Sequence, residues 1–195
     1  MKHCISKLTA AAFLAGSAPF PSATAADLYR LDPDHTQTIF TIDHLGYSHI
    51  TGTFHDIKGT LTLDEKKPEG SSVEVTIGTG SVDTGSAARD EDLRSADYFN
   101  VAKFPAMTFR STAVRKRGAR TADVTGDLTL LGVTKPVVLK VTFNRMAPDF
   151  LRGNSVVAGF TASARIKRSD FGMKAFLPLI GDQVDIAINA EGIRP

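Results

Sequence analysis

The sequence predicts an all-β fold of about eight antiparallel strands with one short helical insertion near residues 86–100, and three observations lead to this prediction. Apolar and polar residues alternate with period two along most of the chain, as in strands with one buried and one wet face. Glycine, proline and asparagine lie between these segments, where turns are expected. Only residues 86–100 replace the alternation by small and charged side chains.

The first 25 residues have the composition of a secretory signal peptide. Lys2 and Lys7 flank the start of a short apolar run, residues 8–18, and Ala23 and Ala25 form a small-x-small cleavage site. We therefore expect residues 1–25 to be removed and residues 26–195 to form a single domain. The only cysteine, Cys4, lies in this leader, so thiol catalysis and cysteine-metal sites are excluded from the mature domain.

The charge of the mature domain argues against a nucleic-acid partner. The whole chain has 23 basic and 21 acidic residues, and the leader holds two lysines and no acid, so the mature domain is neutral. The one basic cluster, residues 115–120 around Gly118, is typical of a solvated hairpin tip.

Each predicted strand has one apolar face. In chain order the strands and these faces are 38–45 (Phe40, Ile42, His44), 51–63 (Thr53, His55, Ile57, Leu61, Leu63), 72–79 (Val73, Val75, Ile77), 107–114, 121–130 (Ala122, Val124, Gly126, Leu128, Leu130), 137–144 (Val137, Leu139, Val141, Phe143), 156–166 (Val156, Ala158, Phe160, Ala162, Ala164, Ile166) and 184–190 (Val184, Ile186, Ile188, Ala190). Eight such strands form a sandwich or close into an up-and-down barrel, and closure removes exposed strand edges.

The inward faces contain many small residues, which bears on whether the interior is hollow. Ala122, Gly126, Ala162 and Ala190 are among them. A barrel of eight strands either fills with side chains or holds one small ligand, and short side chains favour a cavity. A tightly packed core is the alternative that the same composition permits.

The helical insertion consists of a charged helix followed by an aromatic corner. Ser86 is placed to be its N-cap, and Asp90 and Arg94 have the spacing of a helical ion pair. Tyr98 and Phe99 lie in a second turn before Pro105 ends the insertion. Such a piece between two strands is usually a lid or a plug, whereas its charged composition favours a plain connection with a solvated face, and both interpretations stay open.

A second irregular segment, residues 169–181, is too apolar for an exposed loop. It contains Phe171, Met173, Phe176 and Leu179, and Pro178 prevents a continuous strand. We expect the segment to be buried, either as a loop that closes one barrel end or as an apolar mouth.

Metal binding and catalysis have little support in the sequence. His35, His44, His49 and His55 lie close together in the chain but lack the spacing of a zinc motif. There is no nucleophile elbow and no phosphate-binding loop. We therefore expect no metal site and no enzyme.

Four sequence motifs occur in the same order along this chain as in a known protein family. They are LYRLDPDHTQTIFTIDHLGYSHITGTFHDIKGTL at 28–61, SVDTG with RDEDLRSADYFNVAKFPAMTFRST at 81–112, VTGDLTLLGVTKPVVL at 124–139, and RSDFGM with IGDQVDI at 168–186. This pattern resembles the YceI-like family of periplasmic polyisoprenoid-binding proteins. The resemblance implies a lipocalin-like eight-stranded barrel whose apolar pore takes an isoprenoid tail. The sequence departs from the family pattern at Asp92, a position where the family commonly has histidine.

The resemblance implies a periplasmic carrier of a polyprenyl phosphate or an isoprenoid quinone, with no cofactor other than this lipid. Arg89 and Arg94 are the candidates for binding its head group, and holding the insertion through neighbouring aspartates is their alternative role.

Two other functional hypotheses stay open. One is an enzyme that acts on the lipid through His44, and the other is a ligand-free structural or stress-response domain. Transient membrane contact and a homodimer through Val138 or Val157 stay open. The predicted pore residues are Phe40, Ile42, His44, Val75, Ile77, Phe99, Phe109, Leu128, Val141, Phe160, Phe171 and Ile186.

Overall fold

The computed structural model describes residues 26–195, so the predicted signal peptide lies outside the described residues. Short 3₁₀ turns occur at Pro68–Gly70, Thr79–Ser81, Phe150–Arg152 and Arg168–Phe171. The strands and the helix are β1 (Asp27–Leu31), β2 (Gln37–His44), β3 (Ser48–Phe54), β4 (Ile57–Leu63), β5 (Ser72–Gly78), β6 (Val82–Asp83), α1 (Ala87–Arg94), β7 (Ala106–Lys116), β8 (Thr121–Leu130), β9 (Val133–Asp149), β10 (Ser155–Lys167) and β11 (Ile180–Ile193).

The strand segments close into an antiparallel barrel of eight strands. Their order is β1-β4-β5-β7-β8-β9-β10-β11-β2-β3-β6, and the additional pairing of β1 with β11 closes the sheet. β1 and β2 both pair with β11 and follow one another along it, so they are two halves of one barrel strand. β3 and β4 are related in the same way, since β3 pairs with β2 and β4 pairs with β1. The predicted eight-stranded antiparallel barrel is therefore confirmed, and the sandwich is excluded.

The predicted strand 51–63 is wrong in one respect, because the chain bends at His55 and Asp56. The backbone N–H groups of these two residues donate to the Ser81 hydroxyl, at 3.1 and 3.0 Å, instead of to a neighbouring strand. The bend shifts the alternation by one residue. Phe54 consequently points into the barrel and Thr53 does not, whereas Ile57 faces the interior as expected.

The insertion between β5 and β7 forms the helix that the sequence predicts, and it packs as a plug. The helix begins after Ser86, although the Ser86 side chain makes no capping hydrogen bond. The Phe99 ring meets the Phe54 ring edge to face, with centroids 5.4 Å apart. Edge-to-face contacts of this kind stabilise aromatic clusters. The aromatic corner of the insertion is therefore part of the core, while Glu91 and Asp92 of the helix are exposed to solvent.

The two ends of the barrel differ, and we name them by their connections. The helix end has α1 and the β2–β3, β8–β9 and β10–β11 turns; the hairpin end has the β4–β5, β7–β8 and β9–β10 turns. A buried cluster draws on both irregular segments, and its members are Phe54, Val82, Phe99, Met107, Leu130, Val137, Phe171 and Met173. The interior is thus packed beside the helical insertion.

At the hairpin end, the basic tip is partly neutralised by a buried carboxylate. Asp123 is 6 % exposed, and it accepts hydrogen bonds from Lys140 Nζ at 2.8 Å and from Arg117 Nε at 2.6 Å. These two bonds, the one from Lys140 first, hold the pKa of Asp123 below its ordinary value of 3.8. The tip is therefore anchored to the barrel rather than fully solvated.

We expect Asp123 to stabilise the barrel in a pH-dependent way. Since its pKa is lowered by folding, its contribution is complete above the ordinary value of 3.8 and is lost as the pH falls through the folded value. In urea unfolding, the difference in free energy between the wild type and Asp123→Asn should be largest at neutral pH and shrink as the pH falls below 3.8. Asp127→Asn, on the exposed face of the same strand, is the control. A difference that is constant across this range would contradict the assignment.

Candidate functional site

The barrel encloses one large cavity with a volume of about 860 Å³. This is in the upper part of the range of roughly 300–1,000 Å³ for small-molecule sites. The lining includes Arg89 and Asp92 at the helix end, and Lys116 and Arg120 at the hairpin end, so the cavity runs along the barrel. A barrel filled by its own side chains, as the ligand-free hypothesis requires, is not what the structure shows.

The structure brings eleven of the twelve predicted pore residues together on the cavity wall. Phe171 is the exception: it is 2 % exposed, belongs to the buried cluster and does not line the cavity. Its side chain packs under the helix end, because the 3₁₀ turn Arg168–Phe171 turns it toward Met173 and away from the open interior. The other eleven are Phe40, Ile42, His44, Val75, Ile77, Phe99, Phe109, Leu128, Val141, Phe160 and Ile186.

Two strand glycines determine where aromatic rings lie inside the barrel. A Cβ atom at Gly52 would lie 2.4 Å from the Phe40 ring, and one at Gly126 would lie 2.4 Å from the Phe109 ring. The tip of each ring therefore occupies the space that a side chain would fill if the glycine were any other residue. Ala122, one of the small residues expected to leave space, also lines the cavity. The small glycine and alanine residues on the inward faces therefore contribute to the volume of the cavity.

Arg89 is positioned at the helix end of the cavity by its own loop. Its Nε donates to Thr84 Oγ1 at 2.7 Å, and its Nη2 donates to the Thr84 carbonyl at 2.8 Å. The Thr84 hydroxyl in turn donates to Asp90 at 2.6 Å. The guanidinium is thereby held on the cavity wall, near Asp92 of the same helix. This arrangement is consistent with the predicted head-group role of Arg89, which stays a prediction.

Arg94, the second head-group candidate, does not line the cavity, and its head-group role stays a prediction. Its Nε and Nη2 donate to the carbonyls of Gly80 and Val82, both at 2.9 Å. The expected ion pair with Asp90 is also absent from the described residues, because Asp90 accepts from Thr84 instead. Arg94 therefore ties the helix to the preceding turn.

Because these bonds satisfy two main-chain carbonyls, Arg94→Gln should lower the free energy of unfolding by about 1–3 kcal/mol. Arg110→Gln is the matched control: Arg110 is 77 % exposed and pairs with Glu74 at 2.9 Å, so its loss should cost under about 1 kcal/mol. Urea unfolding of both variants is the measurement. Equal losses would contradict the clamping role of Arg94.

Sequence reasoning missed Arg168, which is the most buried charged residue in the described chain. It is 2 % exposed and lies on the cavity wall. Its guanidinium donates to the carbonyls of Met173, Ala175, Ile180 and Gly181 at distances between 2.8 and 3.2 Å. Burial lowers the pKa of Arg168, and this is partly offset by Tyr98 and Asp182. The available signal was the arginine directly before an apolar segment that must return to the sheet.

Arg168 organises the second irregular segment, whose predicted burial is only half right. Met173 is 5 % exposed, as expected. Phe176 and Leu179, however, are 64 % and 60 % exposed. The carbonyls of this loop point inward to Arg168, and this orientation turns the apolar side chains outward.

A polar cluster near the β1–β2 bend could hold a metal ion by its composition. One ligand atom from each of Asp32, His35 and Glu191 lies within 4.8 Å of the others. Arg152 already bonds this group: it donates to Asp32, donates to Glu191 at 3.1 Å and lies 2.7 Å from His35 Nδ1. Burial raises the pKa of Asp32, but the bonds from His35 and the Asp34 N–H, with the charge of Arg152, lower it overall. The cluster is an ion-pair network that fixes the bend, and the expected lack of a metal stays a prediction.

Within residues 26–195, no helix has the length and apolar character needed to cross a membrane.

A closed eight-stranded antiparallel barrel around a long apolar cavity defines a class of β-barrel proteins with room for one elongated guest. Comparison with known proteins identifies the group within this class. The YceI-like domain family matches residues 29–192. Protein YceI of Escherichia coli O157:H7 is 49 % identical over 175 residues, which cover 89 % of this chain and 90 % of the relative. The chain belongs to the YceI-like family, so the resemblance inferred from the motifs is confirmed.

Solved structures show the same barrel. BcnA of Burkholderia cenocepacia aligns with a TM-score of 0.75 at 22 % identity and covers 83 % of this chain and 98 % of its own. A polyisoprenoid binding domain from Saccharophagus degradans aligns with a TM-score of 0.64 at 18 % identity and covers 88 % of this chain and all of its own. At these identities the two structures establish the fold.

Proposed function

We propose that this protein binds one amphiphilic lipid with a long isoprenoid tail and carries it through the periplasm. The observation that supports this most directly is the cavity, which is long, apolar and about 860 Å³ in volume. Membership in the YceI-like family and the ligand class of the Saccharophagus degradans domain support the same proposal.

The apolar wall supplies the affinity in this proposal. Each buried CH₂-sized group of a tail contributes about 0.8 kcal/mol, and a chain of isoprene units contains many such groups. No directional contact is needed along the tail, which matches a lining of aliphatic and aromatic side chains such as Ile42, Val75 and Phe160. An unbranched lipid of similar length could bind the same apolar wall, so the ligand must be identified chemically to distinguish it from an isoprenoid.

The head group would be met at the helix end. Arg89 lies on the wall there and offers charge-assisted hydrogen bonds to a phosphate or to a quinone carbonyl. Asp92 lies on the same wall, where the family commonly has histidine, and its carboxylate reduces the net positive charge that a phosphate would meet. Both head groups therefore stay within the proposal.

Binding is favoured over catalysis. An enzyme acting on the lipid would need an activated nucleophile or a general base next to the bound chain. His44 is on the cavity wall, but in the described part of the chain its ring forms no hydrogen bond with another side chain. Periplasmic localisation rests on the predicted signal peptide and is likewise proposed.

The direct test is native mass spectrometry of the mature protein purified from a bacterial periplasm, followed by solvent extraction and identification of what it carried. A stoichiometric adduct that proves to be a prenyl phosphate or an isoprenoid quinone is the expected result. A protein that emerges bare and does not take up added isoprenoids, or one that carries only unbranched lipids, would overturn the proposal. Turnover of the bound lipid that is lost in His44→Ala would instead support the enzyme hypothesis.

A further inference from the structure

Four large apolar side chains project from the helix end of the barrel. Leu45 and Tyr47 in the β2–β3 turn are 43 % and 88 % exposed, and Phe176 and Leu179 before β11 are 64 % and 60 % exposed. Scattered exposed apolar residues are ordinary, but four within two loops form a patch that marks an interaction site. We call these four residues the rim patch.

The two loops of the rim patch are joined. The backbone N–H of Leu45 donates to the carbonyl of Leu179 at 3.1 Å. The adjacent residues, His44 before Leu45 and Ile180 after Leu179, are paired across β2 and β11. The rim patch is therefore one surface, not two separate loop tips.

The backbone holds the rim patch in its outward position. Leu45 and Phe176 have φ angles of 59° and 57°, in the left-handed region that apolar residues seldom occupy. Arg168 fixes the second loop from below through the carbonyls of Ala175 and Ile180. A conformation that is both unfavourable for leucine or phenylalanine and anchored by a buried arginine indicates that the exposure has a use.

The rim patch is continuous with the cavity wall. His44 precedes Leu45 and Ile180 follows Leu179, and both His44 and Ile180 line the cavity. An apolar surface thus leads from the tip of the loops to the interior, and Lys174 is exposed on the same loop. This is the arrangement expected where a lipid passes from a bilayer into a protein.

We propose that the rim patch docks on a lipid bilayer, with Tyr47 and Phe176 inserted at the level of the head groups and Lys174 near the lipid phosphates. Aromatic side chains favour this interfacial region, and a nearby lysine adds attraction to anionic lipids. The inference rests on the proposed lipid-carrier function for its purpose, but the docking itself is tested separately.

A second copy of the chain is a less suitable partner. At their exposed fractions, the four side chains offer roughly 500 Å². A stable protein interface usually needs about 800 Å² from each partner. A bilayer has no such requirement, since insertion of a few side chains is sufficient for reversible binding.

The experiment measures sedimentation of the mature protein with mixed phosphatidylcholine and phosphatidylglycerol vesicles that contain no isoprenoid. The double variant Tyr47→Ser, Phe176→Asn removes the two aromatic rings, and asparagine tolerates the positive φ at position 176. The matched control is Phe150→Ser, Leu151→Ser, which removes two side chains that are 81 % and 80 % exposed at the hairpin end. We expect vesicle binding to fall more than about tenfold in the first variant and to be unchanged in the second.

Fluorescence gives an independent measurement, since the chain contains no tryptophan. Tyr47→Trp should show a blue-shifted emission when vesicles are added, and Phe150→Trp should not. Absence of vesicle binding by the wild type, equal losses in both double variants, or a shift only at position 150 would overturn the proposal. A self-association that the rim variant abolishes without vesicles would assign the surface to a second copy instead.

Loading with an isoprenoid from detergent solution separates this inference from the proposed function. A protein that loads in detergent but does not bind vesicles retains the carrier function and loses the docking surface. A protein that binds vesicles but never takes up an isoprenoid retains the docking surface and loses the proposed cargo.

Discussion

Replacement of Arg168 by methionine is expected to lower the free energy of unfolding by about 3–5 kcal/mol. The substitution retains most of the aliphatic bulk but removes the donors for four carbonyl groups in a region where Arg168 itself is only 2 % exposed. Each carbonyl left without a partner in such a place costs about 1–3 kcal/mol, partly recovered by relaxation of the loop. Urea unfolding at neutral pH gives the measurement.

Arg165→Met, three residues earlier on β10, is the matched control for this result. Arg165 bonds Asp185 at 2.5 Å, but the two side chains are 62 % and 51 % exposed, so water replaces the pair readily. Its loss should cost less than about 1 kcal/mol. If the two methionine variants were equally stable, the buried arginine would not be the anchor of the loop. Arg168→Lys, which keeps the charge but offers fewer donors, should lie between the two.

Arg168 also shows why the fold was easier to predict than the site. The alternation of apolar residues determines which face of each strand is buried, and all ten predicted pore residues that belong to strands lie on the cavity wall. The contacts of Arg168 join residues 168, 173, 175, 180 and 181 through main-chain atoms, and carbonyl groups are present at every position whatever the sequence. The position of the arginine before the apolar segment therefore does not identify the carbonyl groups that it binds.

The other departures have related physical causes. The alternation through 51–63 could not reveal the bend at His55, because the hydroxyl that satisfies its amide belongs to Ser81, which is distant in sequence. The pair of Asp90 and Arg94 has the correct helical spacing, but each side chain finds a stronger partner in the preceding loop. Phe171 has the large apolar side chain expected of a pore residue, but the 3₁₀ turn places this side chain in the buried cluster instead of on the cavity wall. In each case a particular hydrogen bond or turn outweighs the preference expected from residue spacing alone.

The largest expected effect on binding comes from Ala162→Trp, in the middle of β10. Ala162 lines the cavity between Val141 and Ile188, its partners on the two neighbouring strands, so an indole ring there would occupy space that the proposed tail needs. Exclusion of one isoprene unit, about five CH₂-sized groups, would cost about 4 kcal/mol, or roughly a thousandfold in affinity. The measurement is retention of an added isoprenoid by native mass spectrometry, with urea unfolding alongside it.

Ser163→Trp tests whether this loss arises from the cavity. Ser163 is the next residue on the same strand, and its side chain is exposed on the outside of the barrel. Because successive side chains of a strand face opposite sides, the same ring at 163 adds bulk without entering the cavity. Retention should therefore be lost in Ala162→Trp and kept in Ser163→Trp, while both remain folded. If the blocked barrel still carried an isoprenoid, the lipid would bind elsewhere, and the cavity would no longer be the site of the proposed function.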